Sequence, residues 1–195
     1  MDIDILREKE NRIEFHLKGS PVYFANLMRR YAIGQIPVFA IDRVTFYENS
    51  SSMFDEYLAH RIGQIPLLSD SGRATEEIAL SLEMSGPSTV YSKNLKSTDS
   101  KIKAAFDDIP LLKLLEGQNI RLEAKAIRGI GRQHAKFQPG LISYDVLKPG
   151  ELHMKVESFM QLDPRELLSK TADLVITKCE ELEEKLGGIK KAKED

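Results

Sequence analysis

A long apolar seam near the C-terminus limits the fold of this chain more than any other feature. Its members recur at alternating spacings of four and three residues, the heptad pattern of a helix that packs along its length. They are Leu168, Ala172, Val175, Cys179, Leu182 and Leu186. Asp163, Pro164 and Glu166 are typical of a helix start, and Gly187-Gly188 predicts its end. A helix of about 22 residues spans about 33 Å, about the diameter of a small domain.

Two interpretations of this seam remain open from the pattern alone. In the first, the helix covers a sheet of its own chain. In the second, part of the seam meets another chain, because its apolar surface is wider than one small sheet would cover.

A repeated pentapeptide predicts the ends of two further helices. Ile-Gly-Gln-Ile-Pro occurs at residues 33–37 and again at 62–66. Two copies are too few for a solenoid, so the repeat is a local structural motif that occurs twice. Gly34 and Gly63 are predicted to be left-handed residues at the helix ends, and the prolines cannot continue a helix. The first of these helices is predicted to have Ser20 as its N-cap.

Alternating apolar and polar residues predict strands over much of the remaining chain. The predicted strands are a hairpin at 3–17 and single strands at 41–47, 78–84, 120–126 and 152–156. Residues 111–115 are predicted to form a short helix. The result is an α+β protein.

Composition excludes several classes of function. The chain is 42% hydrophobic and 30% charged, with a net charge of −2 and a pI near 6.1, so a broad nucleic-acid-binding face is disfavoured and little or no direct DNA contact is expected. Cys179 is the one cysteine, which excludes a disulfide framework and indicates a reducing, cytoplasmic compartment. No apolar run is long enough to span a membrane.

The residue patterns contain no catalytic or metal-binding motif. The four histidines lack metal-ligand spacing, and Cys179 within an apolar seam is expected to act as a small hydrophobe. An enzyme whose site forms only on folding, for example around His134 and Lys136, stays open as an alternative. Arg29 and Arg30 end an otherwise apolar helix, where they either favour the helix dipole or anchor a protein interface.

Four motifs, in order along nearly the whole chain, resemble those of the alpha-like subunits of RNA polymerase, above all the archaeal members. They are Asn26-Leu27-Met28-Arg29-Arg30 through Ile36-Pro37, Gly86-Pro87-Ser88-Thr89-Val90-Tyr91-Ser92-Lys93-Asn94-Leu95, Gly129-Ile130-Gly131-Arg132-Gln133-His134-Ala135-Lys136-Phe137-Gln138-Pro139, and Val156-Glu157-Ser158-Phe159 followed by Pro164-Arg165-Glu166-Leu167-Leu168.

The resemblance implies a discontinuous dimerisation domain, residues 1–37 plus 149–195, in which a sheet packs on long helices. A mainly-β domain, residues 38–148, would be inserted into it. The implied function is a non-catalytic assembly scaffold in DNA-directed RNA polymerase, and hence in transcription. The implied partners are the small subunit L, which completes an alpha-like heterodimer, the second-largest subunit and the small subunit N. The implied interface residues are Leu27, Met28, Arg29, Arg30, Tyr31, Leu168, Ala172, Val175, Cys179, Leu182 and Leu186.

The chain departs from family members in three respects. Some relatives hold an iron–sulfur cluster in a cysteine-rich segment, but with Cys179 alone no cluster and no other cofactor are expected. Phe137 stands where many relatives have tryptophan. The DNA-binding C-terminal domain of the bacterial alpha subunit is not expected. Because the bacterial alpha subunit pairs with itself, a stand-alone homodimeric module remains an alternative to the polymerase scaffold.

Overall fold

The computed structural model describes residues 1–69 and 77–191, which contain three helices and ten strands. In chain order they are β1 (Asp2–Lys9), β2 (Arg12–Lys18), α1 (Val22–Gly34), β3 (Pro37–Asn49), α2 (Asp55–Gly63), β4 (Glu77–Ser85), β5 (Ser88–Tyr91), β6 (Lys96–Ser97), β7 (Pro110–Leu114), β8 (Asn119–Ile130), β9 (Gly140–Lys148), β10 (Glu151–Ser158) and α3 (Pro164–Lys191). Single 3-10 turns occur at Ser92–Asn94 and Ala135–Phe137. The antiparallel sheets and separate helices confirm the predicted α+β class.

The first of two compact units is built on a four-stranded antiparallel sheet with the order β1-β2-β10-β9. It comprises Met1–Ile36, Gly140–Ser158 and the chain from Asp163 onward. The predicted hairpin at 3–17 is confirmed, since β1 pairs with β2 along its length. Alternation buries one face of the central strands, which we call the inner face of the sheet. Its buried residues are Ile13, Phe15, Leu17, Leu152, Met154 and Val156.

Helices α1 and α3 pack against each other and cover most of this inner face. α1 contacts β9 and β10 through a stripe that buries Ala25, Met28 and Ala32, and α3 contacts β2 and β10. α3 begins as its sequence predicts, because the Asp163 carboxylate accepts a hydrogen bond from the Arg165 N–H at 2.8 Å. At 28 residues, α3 is about 42 Å long.

The second unit comprises Pro37–Pro139 with Phe159–Leu162. Its larger sheet has the order β3-β8-β4-β6, and β5 pairs with β7 in a two-stranded sheet. α2 packs on β3 and β7 and buries Leu58 and Ile62 in one continuous core. The unit is therefore mainly β, with a single α-helix among its described residues.

Two predicted elements are wrong. Residues 111–115 lie mostly in strand β7, because β5 pairs with it and three of its leucines are buried on that pairing. α3 continues through Gly187-Gly188 to Lys191, so these glycines do not end it. A glycine pair lowers helix propensity by about 1 kcal/mol per residue, which a long helix can absorb.

The helix ends also differ from prediction. Gly34 and Gly63 are the last residues of α1 and α2, and neither has a positive φ. α1 has Pro21 as its N-cap without a side-chain hydrogen bond, so Ser20 does not cap it. The Ser20 hydroxyl is buried and has no hydrogen-bond partner among the described residues.

The division into units differs from the predicted boundaries at β9. The predicted insert, 38–148, would include this strand. In the structure β9 lies in the first unit because it pairs with β10 from Gly140 to Lys148. Gly140 permits this pairing, since an added Cβ would collide with the Glu157 carbonyl oxygen on β10.

Candidate subunit interface

The apolar seam of α3 is covered at its beginning and open towards its end. Leu167 is completely buried, and the buried Thr171 hydroxyl donates a hydrogen bond to the Leu167 carbonyl oxygen at 2.7 Å. The predicted interface residues Leu168, Ala172 and Val175 are half-buried. The seam's second half is exposed, with Cys179 open, Leu182 58% exposed and Leu186 53% exposed.

The increase in side-chain exposure along α3 follows from the elements that pack against its first turns. The first turns of α3 pack on α1, β2 and β10, and the later turns extend past that cover. Ile176, outside the heptad positions, is also exposed and widens the open surface. Apolar side chains at regular helical spacing that no described part of the chain covers are typical of a protein interface.

The predicted interface residues of α1 fall into three groups. Met28 is buried in the unit's own core, with 9% of its surface exposed. Leu27 and Tyr31 are half-buried. Arg29 is half-buried and donates two hydrogen bonds to the Asn26 side-chain oxygen, at 3.0 and 3.3 Å, whereas Arg30 is exposed. The adjacent arginines therefore differ, one held by its own helix and one free to reach another molecule.

A cleft of about 420 Å³ opens beside Arg29 in the first unit. It is lined by residues of α1, β2, β9 and β10, among them Ile33, Ile142 and Val156. Its charged residues are of both signs, and Arg12 pairs with Glu157 at 2.6 Å. Charges of both signs beside apolar side chains fit a protein contact better than a charged small ligand.

Sequence reasoning missed the exposed apolar residues of β1. Ile3, Ile5 and Leu6 are all about half exposed. Ile3 and Ile5 alternate with Asp2 and Asp4, which is the pattern of a strand with one face towards a core. That alternation could have identified the strand's apolar face, although not that the face is left uncovered.

The outer face of the same sheet is charged and paired across its strands. Lys18 donates to the Asp4 carboxylate at 2.6 Å, and Lys155 donates to Asp145 at 2.8 Å. These hydrogen bonds lower the pKa of each carboxyl group below its ordinary value. His16 and His153 lie between the pairs, with ring centroids 5.5 Å apart. The Lys18–Asp4 and Lys155–Asp145 pairs are open to water, whereas His153 Nε2 is buried and makes no hydrogen bond within the described part of the chain.

The residues behind the enzyme alternative have structural roles in the second unit. Lys136 Nζ lies 2.7 Å from an Asp42 carboxylate oxygen and 3.2 Å from the Ile41 carbonyl oxygen. His134 Nδ1 accepts a hydrogen bond from the Lys136 N–H at 3.1 Å. The Phe137 ring is buried so close to Gly129 that an added Cβ would lie 2.7 Å from it. Within the motif at 129–139, Gly129, Phe137 and Pro139 are therefore packed, and residues 132–135 are exposed.

Over residues 1–69 and 77–191, no group of three metal-ligating side chains is placed to hold a metal ion. No helix within those same ranges is both long and apolar enough to cross a membrane.

A sheet that the packed helices α1 and α3 cover incompletely, with a mainly-β unit from the middle of the chain, is the architecture that the resemblance to the alpha-like class of polymerase subunits implies. The family model described as the RNA polymerase Rpb3/RpoA insert domain matches residues 33–147. The chain therefore belongs to the alpha-like subunit family of DNA-directed RNA polymerase, which functions in transcription.

Archaeal members of this family are similar to the chain over most of its length, as the sequence motifs predict. The DNA-directed RNA polymerase subunit Rpo3 of Methanocaldococcus jannaschii is 42% identical over 182 residues, which cover 91% of this chain and 94% of the relative. The Rpo3 subunit of Pyrococcus furiosus is 39% identical over 189 residues, covering 93% of this chain and 71% of the relative. Rpo3 is the alpha-like subunit also called D.

Proposed function

We propose that this chain is the non-catalytic assembly scaffold of a multisubunit RNA polymerase in the archaeal cytoplasm. It pairs with the small subunit L, and the heterodimer nucleates assembly of the large catalytic subunits. The second-largest subunit and the small subunit N are its further partners. It contributes no active site, no cofactor and little or no direct DNA contact, and nucleotide addition belongs to the complex.

The exposed second half of the α3 seam is the observation that carries this proposal. Leu182 continues the heptad position of Leu168 and Val175, and Leu186 continues that of Ala172 and Cys179, yet no side chain in the described part of their unit buries either leucine. A heptad seam packs side chains of one helix between those of another. A partner helix that runs antiparallel to α3 or crosses it would bury the exposed side chains of this half.

The two arginines of α1 support a separate contact with a large subunit. Arg30 is exposed, and its guanidinium can make a bidentate bond to a carboxylate. Arg29 is fixed by Asn26 beside the cleft lined by β9 and β10. Because these side chains differ from the α3 seam in chemistry, dimer formation and large-subunit docking are separable.

Native mass spectrometry tests the pairing. The chain is expressed alone and together with an archaeal L subunit, and the masses of the intact complexes are measured. We expect a one-to-one heterodimer, with the lone chain unstable or aggregated. A well-behaved monomer or homodimer that ignores L would refute the proposal, and the homodimer would favour the stand-alone interaction module.

Competition assembly tests the role of Arg30. Arg30→Ala chain and wild-type chain are mixed with limiting L and large subunits, and their shares in assembled polymerase are measured. We expect the alanine variant to be depleted from polymerase but not from the heterodimer. Arg30→Lys keeps the charge without the bidentate fork, and it should lie between the two. Equal incorporation of all three forms would refute this role.

A further inference from the structure

Two histidines lie side by side on the outer face of the four-stranded sheet. His16 on β2 and His153 on β10 are directly opposite each other in the strand register, and their ring centroids are 5.5 Å apart. Both side chains project away from the face that α1 and α3 cover. The register continues to Asp4 on β1 and to Asp145 on β9, so a row of two aspartates and two histidines crosses the sheet.

Each histidine also lies beside a glutamate that is diagonal to it on the neighbouring strand. His16 Nδ1 is 3.9 Å from a Glu151 carboxylate oxygen, and His153 Nε2 is 3.5 Å from a Glu14 carboxylate oxygen. The four side chains are mostly covered, with between 16% and 27% of each exposed. A buried nitrogen without a hydrogen bond, such as His153 Nε2 among the described residues, is unusual in a folded protein.

This arrangement matches that of histidines that bind a metal ion. A metal-binding imidazole typically has its other ring nitrogen beside a carboxylate, which fixes the tautomer and leaves a lone pair on the ligand nitrogen. With Glu151 and Glu14 in that supporting position, the ligand atoms are Nε2 of His16 and Nδ1 of His153.

The separation of the two rings fits a shared ion. Two imidazoles bound at about 2.0 Å to one tetrahedral ion have ring centroids about 5 Å apart, close to the 5.5 Å observed here. The χ2 torsion of histidine has a broad distribution, so rotation of each ring can aim its ligand nitrogen at the shared ion.

We propose that His16 and His153 form a two-histidine site for a divalent transition-metal ion such as Zn²⁺, Ni²⁺ or Cu²⁺. Imidazole nitrogen is a preferred ligand of these ions, whereas Mg²⁺ and Ca²⁺ take oxygen ligands. Water completes the coordination, because the described part of the chain offers no group of three ligands. Two protein ligands make the ion exchangeable.

The charge around the two histidines favours a cation. Four carboxylates surround them, and three of these pair with lysines, Asp4 with Lys18, Asp145 with Lys155 and Glu151 with Lys148. The fourth carboxylate, that of Glu14, lies beside His153. The carboxylates thus outnumber the lysines that pair with them, and a bound cation offsets the difference.

The site joins two distant parts of the chain. β2 belongs to the first segment of the first unit, and β10 belongs to the segment that follows the second unit. Because the two ligands meet only when these strands pair in register, the ion binds the folded state and stabilises it. This role is independent of the proposed pairing with L, since the site faces away from α1 and α3.

Calorimetric titration of the full chain with Ni²⁺ tests the site. We expect His16→Asn and His153→Asn each to weaken Ni²⁺ binding at least about 10-fold, because either change leaves one ligand. His60→Asn changes an exposed histidine of the second unit, and Cys179→Ser removes the exposed thiol. Both controls should change the affinity by less than about 2-fold.

The outcomes of this titration are distinct. Circular dichroism checks that the histidine variants fold, and glutamine replaces asparagine in any variant that does not. Absence of Ni²⁺ binding, unchanged binding by either folded histidine variant, or an equal loss in a control would overturn the inference. None of these results would affect the proposed function.

Electron paramagnetic resonance of the chain with Cu²⁺ gives an independent readout. We expect coupling to two imidazole nitrogens in the wild-type chain and to one in each histidine variant. Glu14→Ala and Glu151→Ala remove the supporting carboxylates and should weaken Ni²⁺ binding about 10-fold, while the two-nitrogen signal of Cu²⁺ remains. A wild-type spectrum with fewer than two nitrogens would refute the inference.

Discussion

Two leucines on α3 provide a reciprocal test of the division between its covered and open halves. Leu167 is completely buried within the first unit, whereas Leu182 is 58% exposed. Both are leucines of one helix, and both are changed to alanine, the residue with the highest helix propensity. Differences between the two variants therefore report packing and not helix formation.

The expected magnitudes follow from these exposures. Leu167→Ala leaves a cavity in the unit's core and should lower the free energy of unfolding of the chain by about 2–5 kcal/mol. Leu182→Ala should change that free energy by less than about 0.5 kcal/mol, because more than half of the side chain already meets water. Burying a whole leucine contributes about 1.5–3 kcal/mol, so covering the exposed part contributes about 1–2 kcal/mol. Binding of L should weaken roughly 5- to 30-fold.

The assays are denaturant unfolding of the free chain and calorimetric titration with L. The result that would refute the reasoning is a large loss of stability from Leu182→Ala with unchanged binding. That result would mean that the second half of α3 packs against its own chain in solution. Unchanged stability and unchanged binding together would show that L docks elsewhere.

Three further predictions concern stability. Gly140→Ala should lower the free energy of unfolding by about 1–3 kcal/mol, because the added methyl group collides with a carbonyl oxygen of β10. Gly34→Ala has no neighbour within 4 Å of its added methyl group, so it should leave that free energy unchanged or raise it in the same assay. Ser20→Ala should not destabilise the chain, since its hydroxyl is buried without a partner, whereas loss of a capping hydroxyl would cost about 1 kcal/mol. The hydrogen bond from Arg165 lowers the pKa of Glu8 below its ordinary 4.5. The stabilisation from this pair is therefore present above pH 4.5 and is lost as the pH falls below it. Between about pH 6 and about pH 3, the Glu8→Gln variant should consequently lose less stability than the wild-type chain.

The sequence predicted most elements whose pattern is long or strictly alternating. The β1–β2 hairpin, the strands with alternating apolar residues and the capped start of α3 follow from local chemistry. β7 could not be predicted, because a short apolar segment is compatible with either a helix or a strand until its partner strand β5 is known. The predicted end of α3 is wrong for the opposite reason. Two glycines are a weak stop signal in a helix that is already long enough to propagate.

The candidate interface was predictable only in part. The heptad pattern identifies which side chains of α3 share a face, but Leu168 and Leu182 have the same pattern and different surroundings. Which of them is covered depends on the position of α1 and the sheet, which is tertiary information. For the same reason Met28 resembles an interface residue in sequence, although it is buried in its own unit.

Under the proposed function, the open apolar surfaces couple the stability of this chain to binding of its partner. A half-exposed Ile5 on an edge strand and exposed leucines on α3 are sites at which chains associate non-specifically when no partner is present. Binding that covers them stabilises the folded state in proportion to the logarithm of the partner's free concentration. Under the proposed function, the folded, assembly-competent form is held chiefly after pairing. The proposed order of assembly, heterodimer first and large subunits second, is then the order that the exposed surface of this chain favours.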